Sequence, residues 1–306
     1  MLDYILLTPA KDEEQNLPRL ADSVINQTLL PRLWVIIDDG STDGTPRVIE
    51  KLVRDYNWIK SIKLEVGPRQ AGINFARMFN KGLNYAYEIC RDMGISYDYL
   101  GKADADIIMP EDCFQTLIDR FRENPRLGIA SPGMASISGE VTSINDLTGA
   151  TIIHDVNSFS DLPSDGVRLY RKECFDEIGG IAVTHAPDPV ALVKAKLRGW
   201  ETRRDKESEV FKTRETASTN GLWNGYKIVG YEKYYMDYHP FLVLLSTLYE
   251  LKRRPYYQGL ALFYGYLSAV LRREEKIDIP EVRDYFRHRR LGETIKLLLK
   301  RNKPDG

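Results

Sequence analysis

The sequence predicts an α/β protein: a mixed, mainly parallel central sheet flanked by helices, with a C-terminal helical extension. Three observations carry this. Apolar strand-like runs alternate with helical spacing through residues 4–110. The runs at 4–8, 33–37 and 99–103 each lead into an acidic turn: Asp12-Glu13-Glu14, Asp38-Asp39 through Asp43, and Asp104-Ala105-Asp106. Beyond about residue 237 the pattern is helical only. Ligands of parallel sheets sit at the carboxyl ends of the strands, and those are the ends where the acidic turns fall.

The elements follow in order. Residues 4–8 form a buried-type strand, and residues 17–27 a helix with Asn16 placed to cap it. A second strand spans 33–37. Residues 45–56 then show helical spacing through Val48, Ile49, Leu52 and Val53, with Thr45 as cap and Pro46 in the first turn. A third strand over 59–66 precedes a long helix over 72–93, with Phe75, Phe79, Leu83 and Ala86 on one side. The strand at 99–103 delivers the Asp104/Asp106 turn. Between 128 and 173 the pattern changes to short β-type runs (128–130, 141–144, 151–154, 167–170) separated by Gly, Pro, Ser and Asp. Short helices are expected at 171–178, closed by Gly179-Gly180, and at 187–199. Three more helices are expected at 241–253, 256–273 and 280–300.

Bulk properties narrow the function. The chain has 306 residues, 43% of them hydrophobic, and a formal net charge of −1, so no global charge recruits nucleic acid. The charge is uneven: residues 1–236 carry 29 basic and 35 acidic side chains, residues 237–306 carry 14 and 9. A tail of about +5 invites an anionic partner or membrane surface. Cys90, Cys113 and Cys174 have no close pairing and read as small buried hydrophobes in a reducing compartment. His154, His185, His239 and His288 are too scattered for a zinc site. With no basic, apolar leader and no long uninterrupted apolar run, the expected location is cytoplasmic, at most peripheral on the inner face of the cell membrane.

Two carboxylates two residues apart on a strand-end turn can share one hard divalent cation. Mg²⁺ or Mn²⁺ held in this way keeps positions open for phosphate oxygens. An Asp-x-Asp alone also makes an ordinary solvated turn, so its weight comes from the acidic turns beside it.

The motifs in order resemble family 2 glycosyltransferases, inverting nucleotide-sugar enzymes of the GT-A fold. They are Pro9 to Glu14, Asp38 to Thr45, Gly72-x-x-x-Ala76-Arg77, Asp104-x-Asp106, Gly179-Gly180, and Asp188 opening a helix that ends in Arg198-Gly199-Trp200. The resemblance implies a GT-A catalytic domain over 1–236, with a nucleotide-sugar half (about 1–110) and an acceptor half (about 111–236). Residues 237–306 follow as the helical extension. It implies that Thr8, Pro9 and Asp39 line the nucleoside pocket, with Asp39 accepting from the base edge, and that Arg77 lies by the donor. Asp106 and Asp104 hold the cation, Asp104 also reaching the ribose or a metal-bound water. Asp188 is the general base, and Arg214 contacts the diphosphate. The donor is a UDP-, GDP- or dTDP-linked sugar and the cofactor Mn²⁺ or Mg²⁺. Read from the residues alone, Asp38-Asp39 also suits a plain turn, Arg77 an outward-facing helix position, Arg214 a surface loop, and Asp188 before Pro189 a helix N-cap.

The Gln-x-x-Arg-Trp segment of processive polysaccharide synthases is absent: Lys212-Thr213-Arg214-Glu215-Thr216 stands after Asp188. This favours transfer of a single sugar. The acceptor is then a glycan or a lipid-linked hydroxyl or phosphate. Apolar and aromatic helices at 241–251 and 256–271, bracketed by Lys252-Arg253-Arg254 and Arg272-Arg273, suit a membrane interface. They equally suit packing on the catalytic domain or another subunit. A sugar-1-phosphate nucleotidyltransferase would need a Gly-rich basic loop after the first strand, where residues 8–16 are acidic. A degenerate, non-catalytic docking subunit would be expected to have lost at least one of Asp39, Asp104, Asp106 and Asp188.

Overall fold

The computed structural model describes residues 3–65, 71–138, 151–154, 163–213 and 221–301. The expected strand at 141–144 and Arg214 lie outside the described residues. Two compact units are present: residues 1–183 with 187–215, and residues 184–186 with 216–306.

The first unit is built on one nine-stranded sheet. β1 (Tyr4–Ala10), β2 (Leu33–Asp38), β3 (Ile59–Lys63) and β4 (Tyr99–Ala103) form its parallel half, in the order β3-β2-β1-β4. The chain then jumps to the far edge as β5 (Ile107–Ile108). Three longer strands fill the gap: β6 (Leu127–Ser138), β8 (Val167–Arg171) and β9 (Glu201–Lys212), while β7 (Thr151–His154) pairs with β6. β8 runs antiparallel to both β4 and β6, and β6 runs parallel to β9.

Strict alternation in β1 and β2 divides the core. Tyr4, Leu6, Trp34 and Ile36 face α1 (Leu17–Ile25), α2 (Thr45–Asp55) and α4 (Cys113–Glu123). Ile5, Leu7, Val35 and Ile37 face α3 (Ala71–Met93), α5 (Lys172–Glu177) and α6 (Pro187–Leu197). Both sheet faces are covered, which is why these strands read as continuous apolar runs. Each fully buried side chain here contributes about 1.5–3 kcal/mol. Cys90, Cys113 and Cys174 are buried free thiols in this core, and burial pushes Cys90 up to about 11 and the other two to about 12.

Two expected caps are corrected. Asn16 does not cap α1 with its side chain; its amide donates to Glu13 Oε2 at 2.7 Å. Thr45 is the first residue of α2 rather than its cap, and its hydroxyl accepts from the Glu13 backbone N–H at 2.7 Å. Thr45 ties the first two acidic turns together, and Asn16 ties the first turn to Thr213 after β9, instead of closing their own helices. Gly179 and Gly180 do end α5 as expected, at φ +74° and +70°, a region that favours glycine.

The second unit is helical: α7 (Leu222–Tyr235), α8 (Pro240–Leu251), α9 (Tyr257–Arg272), α10 (Pro280–Asp284), a π-helical turn at Tyr285–Arg289, and α11 (Arg290–Arg301). α7, which precedes the expected boundary at 236/237, belongs to this unit. Asp237, at φ +60°, gathers Lys276, Arg283 and Arg287 at 2.6, 3.6 and 3.7 Å. Glycines set the approach of α7 to α9. A Cβ on Gly230 would sit 2.0 Å from the Leu262 carbonyl oxygen, and one on Gly265 would sit 2.1 Å from that of Lys227.

Gly230→Ala should therefore lower stability by about 1–3 kcal/mol through forced separation of the two backbones. This outweighs the ~1 kcal/mol gain in helix propensity. A thermal melt unchanged or raised in the variant would contradict the close approach.

Candidate active site

Strand register places the acidic turns side by side. Ala10 pairs with Asp38 across β1 and β2, and Leu7 pairs with Lys102 across β1 and β4, so three strands end at one edge. The turns then diverge in use. The first two bond to each other: the Glu14 N–H donates to Asp43 Oδ2 at 3.1 Å, the Gly44 N–H to Glu14 Oε2 at 3.1 Å, and the Thr42 N–H to Asp12 Oδ1 at 2.8 Å. Asp38 Oδ1 accepts from the Ser41 N–H at 2.8 Å. These carboxylates close loops.

Asp39 is different. It is about one-third exposed, with Lys11 Nζ 3.6 Å from its Oδ2 and donating to its carbonyl at 2.8 Å. Pro9 is half-buried beside it in sequence register, opposite Ile37. Thr8 is fully buried, and its hydroxyl accepts from Trp34 Nε1 at 3.0 Å, so its side chain serves the core. Arg77 is exposed on α3.

Asp104 and Asp106 occupy the break between β4 and β5. The Asp104 N–H donates to the Gly166 carbonyl at 2.8 Å, and the Asp106 carbonyl accepts from the Thr213 N–H at 3.0 Å. The Thr213 hydroxyl reaches both that carbonyl, at 3.2 Å, and Asn16 Oδ1, at 3.0 Å. The turn is thus held by β8 and β9 rather than by its own local bonds.

Cations interleave with the carboxylates. Lys102, buried at the end of β4, sits 2.9 Å from Asp104 Oδ1, donates to the Asp165 carbonyl at 2.6 Å and lies 5.0 Å over the Phe75 ring. Lys212 Nζ is 3.9 Å from Asp106 Oδ2. Arg168, buried in β8, donates through Nη1 to Asp188 Oδ1 at 2.5 Å and through Nε to the Ser164 carbonyl at 2.6 Å. α6 begins at Pro187, so Asp188 lies within its first turn, where the helix dipole favours a carboxylate, and not before it as a cap.

Burial opposes the charges of Lys102, Arg168, Lys212, Asp104 and Asp165. For Lys102 the burial cost is outweighed by Asp104, Asp188 and Asp165, so its pKa stands above that of an ordinary lysine. Lys212 is raised in the same way by Asp106, Asp165 and Asp104. Burial raises the Asp165 carboxyl, but Lys212, Lys102 and Arg168 bring it below the ordinary value. Asp104 goes the other way: burial raises it, and Lys102 and Lys212 only partly compensate. Four carboxylates (Asp104, Asp106, Asp165, Asp188) face three cations (Lys102, Lys212, Arg168), a surplus of one negative charge.

That surplus bears on the expected Mn²⁺ or Mg²⁺. Among the described residues no group of three His, Cys, Asp or Glu side chains could cage a metal. Two carboxylates completed by substrate phosphates and water are nonetheless a usual Mg²⁺ arrangement. A cation would also relieve the buried charge that raises Asp104. The donor set fits.

Sequence reasoning missed Lys102, Arg168, Asp165 and Lys212. A signal existed for two of them: Lys102 and Arg168 are charges inside runs otherwise patterned as buried strand, and such charges need partners.

Residues 5–183 match the family described as Glycosyl transferase family 2. Asp188 lies beyond the end of that match. The poly-β-1,6-N-acetyl-D-glucosamine synthase of Staphylococcus epidermidis is 25% identical over 176 residues, 55% of this chain and 39% of that protein. The chondroitin synthase of Escherichia coli is 26% identical over 167 residues, 50% and 22%. The chain thus spans well under half the length of these relatives. Among solved structures, mannosyltransferase PcManGT from Pyrobaculum calidifontis, in complex with GDP-Man and Mn²⁺, aligns with a TM-score of 0.54 at 15% identity. The alignment covers 97% of this chain and 80% of that one. Staphylococcus aureus TarS 1–349 with UDP-GlcNAc aligns at 0.51 and 15% identity, covering 97% and 76%. The fold is GT-A.

Replacing Lys102 by Met strands Asp104 and Asp165 without their buried cation. Lys102→Met should cost about 3–5 kcal/mol at neutral pH. The loss should shrink as pH falls toward the carboxylate range, because the stranded carboxyls then take up protons. Denaturant unfolding at both pH values checks this; a loss independent of pH would contradict the pairing.

Proposed function

Given that the chain belongs to glycosyl transferase family 2, we propose that it transfers a single sugar, with inversion, from a nucleoside-diphosphate donor to an acceptor hydroxyl or phosphate. The observation that carries this is the buried charge cluster at the sheet edge. It links the Asp104/Asp106 turn to Asp188 through Lys102 and Arg168, the arrangement that in-line displacement needs at its two ends.

In this reading Pro9 and Asp39 border the nucleoside, and Asp39, held by Lys11, accepts from an N–H of the base edge. Thr8 supports that wall from within the core. By resemblance Arg77, exposed on α3, is assigned to the donor nucleotide and Arg214 to the diphosphate. A divalent cation held by Asp104 and Asp106 would supply neutralisation of the charge that builds on the departing diphosphate. Arg168 fixes one oxygen of Asp188, which leaves the other to accept the proton of the acceptor hydroxyl as that oxygen attacks the anomeric carbon from the opposite face. Lys102 keeps Asp104 in place while the turn around it changes charge.

The relatives and structural neighbours include proteins named for glycan synthesis, and neighbours whose bound groups are GDP-Man, UDP-GlcNAc and Mn²⁺. They support a sugar nucleotide as donor and cell-envelope or glycan synthesis as the setting. The reading includes a glycan or lipid-linked acceptor, catalysis by residues 1–236, and cytoplasmic work at a membrane surface reached through residues 237–306.

Calorimetric titration with UDP, GDP and dTDP, each with Mn²⁺, Mg²⁺ or chelator, tests the donor site. Binding of one diphosphate only with cation is expected, and Asp106→Ala should abolish it. Cation-independent binding by Asp106→Ala would remove the metal assignment. Asp188→Asn should retain donor binding and lower turnover ~10²-fold or more; near-normal turnover would leave Asp188 a structural partner of Arg168.

A further inference from the structure

α9 is built inside out for a water-soluble helix. Its buried side carries Gly259, Ala261, Gly265 and Ala269 beside Gln258 and one large apolar residue, Leu262, while Leu260, Phe263, Tyr264, Leu267 and Leu271 are exposed, Leu271 by 75%. The cause is the glycine contacts. Gly265 admits the Lys227 carbonyl of α7, and Gly259 admits the Thr247 carbonyl of α8, at separations no side chain tolerates. Close backbone approach leaves little room for large side chains inside: Leu262 is accommodated and the other large apolar residues named point out. Small residues inward and large apolar residues outward is the packing of helices whose surroundings are lipid.

The exposed surface is continuous with its neighbours. On α8, Phe241, Leu244 and Leu248 recur at helical spacing and are each nearly half exposed. On α7, Trp223 is exposed, and its ring lies 6.3 Å from those of both Tyr257 and Tyr264. Trp and Tyr, with an apolar body and a polar tip, suit the boundary between headgroups and acyl chains. Among the described residues no helix is long and apolar enough to cross a membrane. Such a face lies in the interface plane.

Charge decides what covers it. From His239 to Lys276 stand six basic residues, Lys252, Arg253, Arg254, Arg272, Arg273 and Lys276, and three acidic residues, Glu250, Glu274 and Glu275. Glu250 is buried. Lys252, Arg253 and Arg254 gather at the N-terminal end of α9, whereas Arg272 and Arg273 at its other end are followed by the exposed Glu274 and Glu275. Residues 237–306 carry 14 basic and 9 acidic side chains, so a second copy would bring like net charge to this face. An anionic lipid surface meets that net charge with the opposite sign.

We infer that the outward face of α7, α8 and α9 docks the protein in the plane of an anionic membrane, with Leu260, Leu267 and Leu271 entering the acyl boundary and the Lys252-Arg253-Arg254 cluster on the headgroups. The inference deepens the membrane contact proposed above for residues 237–306 and rests on that part of the reading, not on sugar transfer.

The test is flotation of the full chain with vesicles of phosphatidylcholine, alone or with about 30% phosphatidylglycerol, beside light scattering for oligomeric state. Expected are binding to the anionic vesicles, at least tenfold weaker binding to the neutral ones, and weakening with salt. The double variant Leu260→Glu/Leu267→Glu, both sites exposed, should lose anionic binding by tenfold or more while keeping its thermal melt and its diphosphate titration. Three outcomes would overturn the inference. The wild-type chain could fail to float, it could bind both vesicle types equally, or it could form a dimer that the double variant dissociates. Since diphosphate binding is measured on the same samples, failure of docking and failure of the donor site are read separately.

Discussion

The fold of the first unit depends on neutralising a buried set of carboxylates at the carboxyl edge of its sheet. Asp104 and Asp106 share the turn between β4 and β5, Asp165 precedes β8 and Asp188 lies in the first turn of α6, and burial penalises the charge of Asp104 and Asp165. Lys102 and Arg168 are rooted in adjacent antiparallel strands, and Lys212 in the last residue of β9. Three strands must therefore hold register for the charges to meet. A one-residue slip would turn Lys102 and Arg168 to the opposite sheet face and leave both signs unpaired in the core. The site and the sheet register specify each other.

The parallel half of the sheet was legible because both of its faces are covered, so strand and helix alternate with little ambiguity. The acidic turns were legible as a group, but not their division of labour. Asp12, Glu14, Asp38 and Asp43 look no different in sequence from Asp104 and Asp106. What separates them is long-range: the first set finds backbone N–H donors in the neighbouring loop, the second finds lysines. Asn16 and Thr45 were misread for the same reason, since a polar side chain before a helix can bond its own first turn or a loop across from it. Only the tertiary partner decides, Glu13 for Thr45 and Thr213 for Asn16.

β9 and α7 were not legible. Glu201–Lys212 carries eight charged residues and offers no apolar alternation. It is a strand because β6 lies beside it over most of its length and because Asp205, buried at 1% exposure, pairs with Arg120 at 2.6 Å. α7 was hidden by Gly225 and Gly230, which weaken helix propensity. Gly230 and its counterpart Gly265 on α9 let the two helix backbones meet, and that contact leaves Leu262 inside and turns Leu260, Phe263, Tyr264, Leu267 and Leu271 outward. The sequence showed that the tail was apolar and basic; the direction of its apolar residues required the helix pairing.

The break between β4 and β5 joins these points. A parallel strand followed by its helix would have carried the chain back across the sheet, placing Asp104 and Asp106 in a loop free to move. Instead the chain leaves the middle of the sheet at Ala103 and reappears at its far edge at Ile107, paired with Lys212. The Asp104 N–H is bonded to the Gly166 carbonyl just before β8, and the Asp106 carbonyl to Thr213 just after β9. Backbone bonds at both ends fix the spacing of the two residues, and their carboxylates face Lys102 and Lys212. A turn meant only to reverse the chain would need neither strand. The anchoring of this one by two distant strands is the structural reason to regard it as the centre of the site.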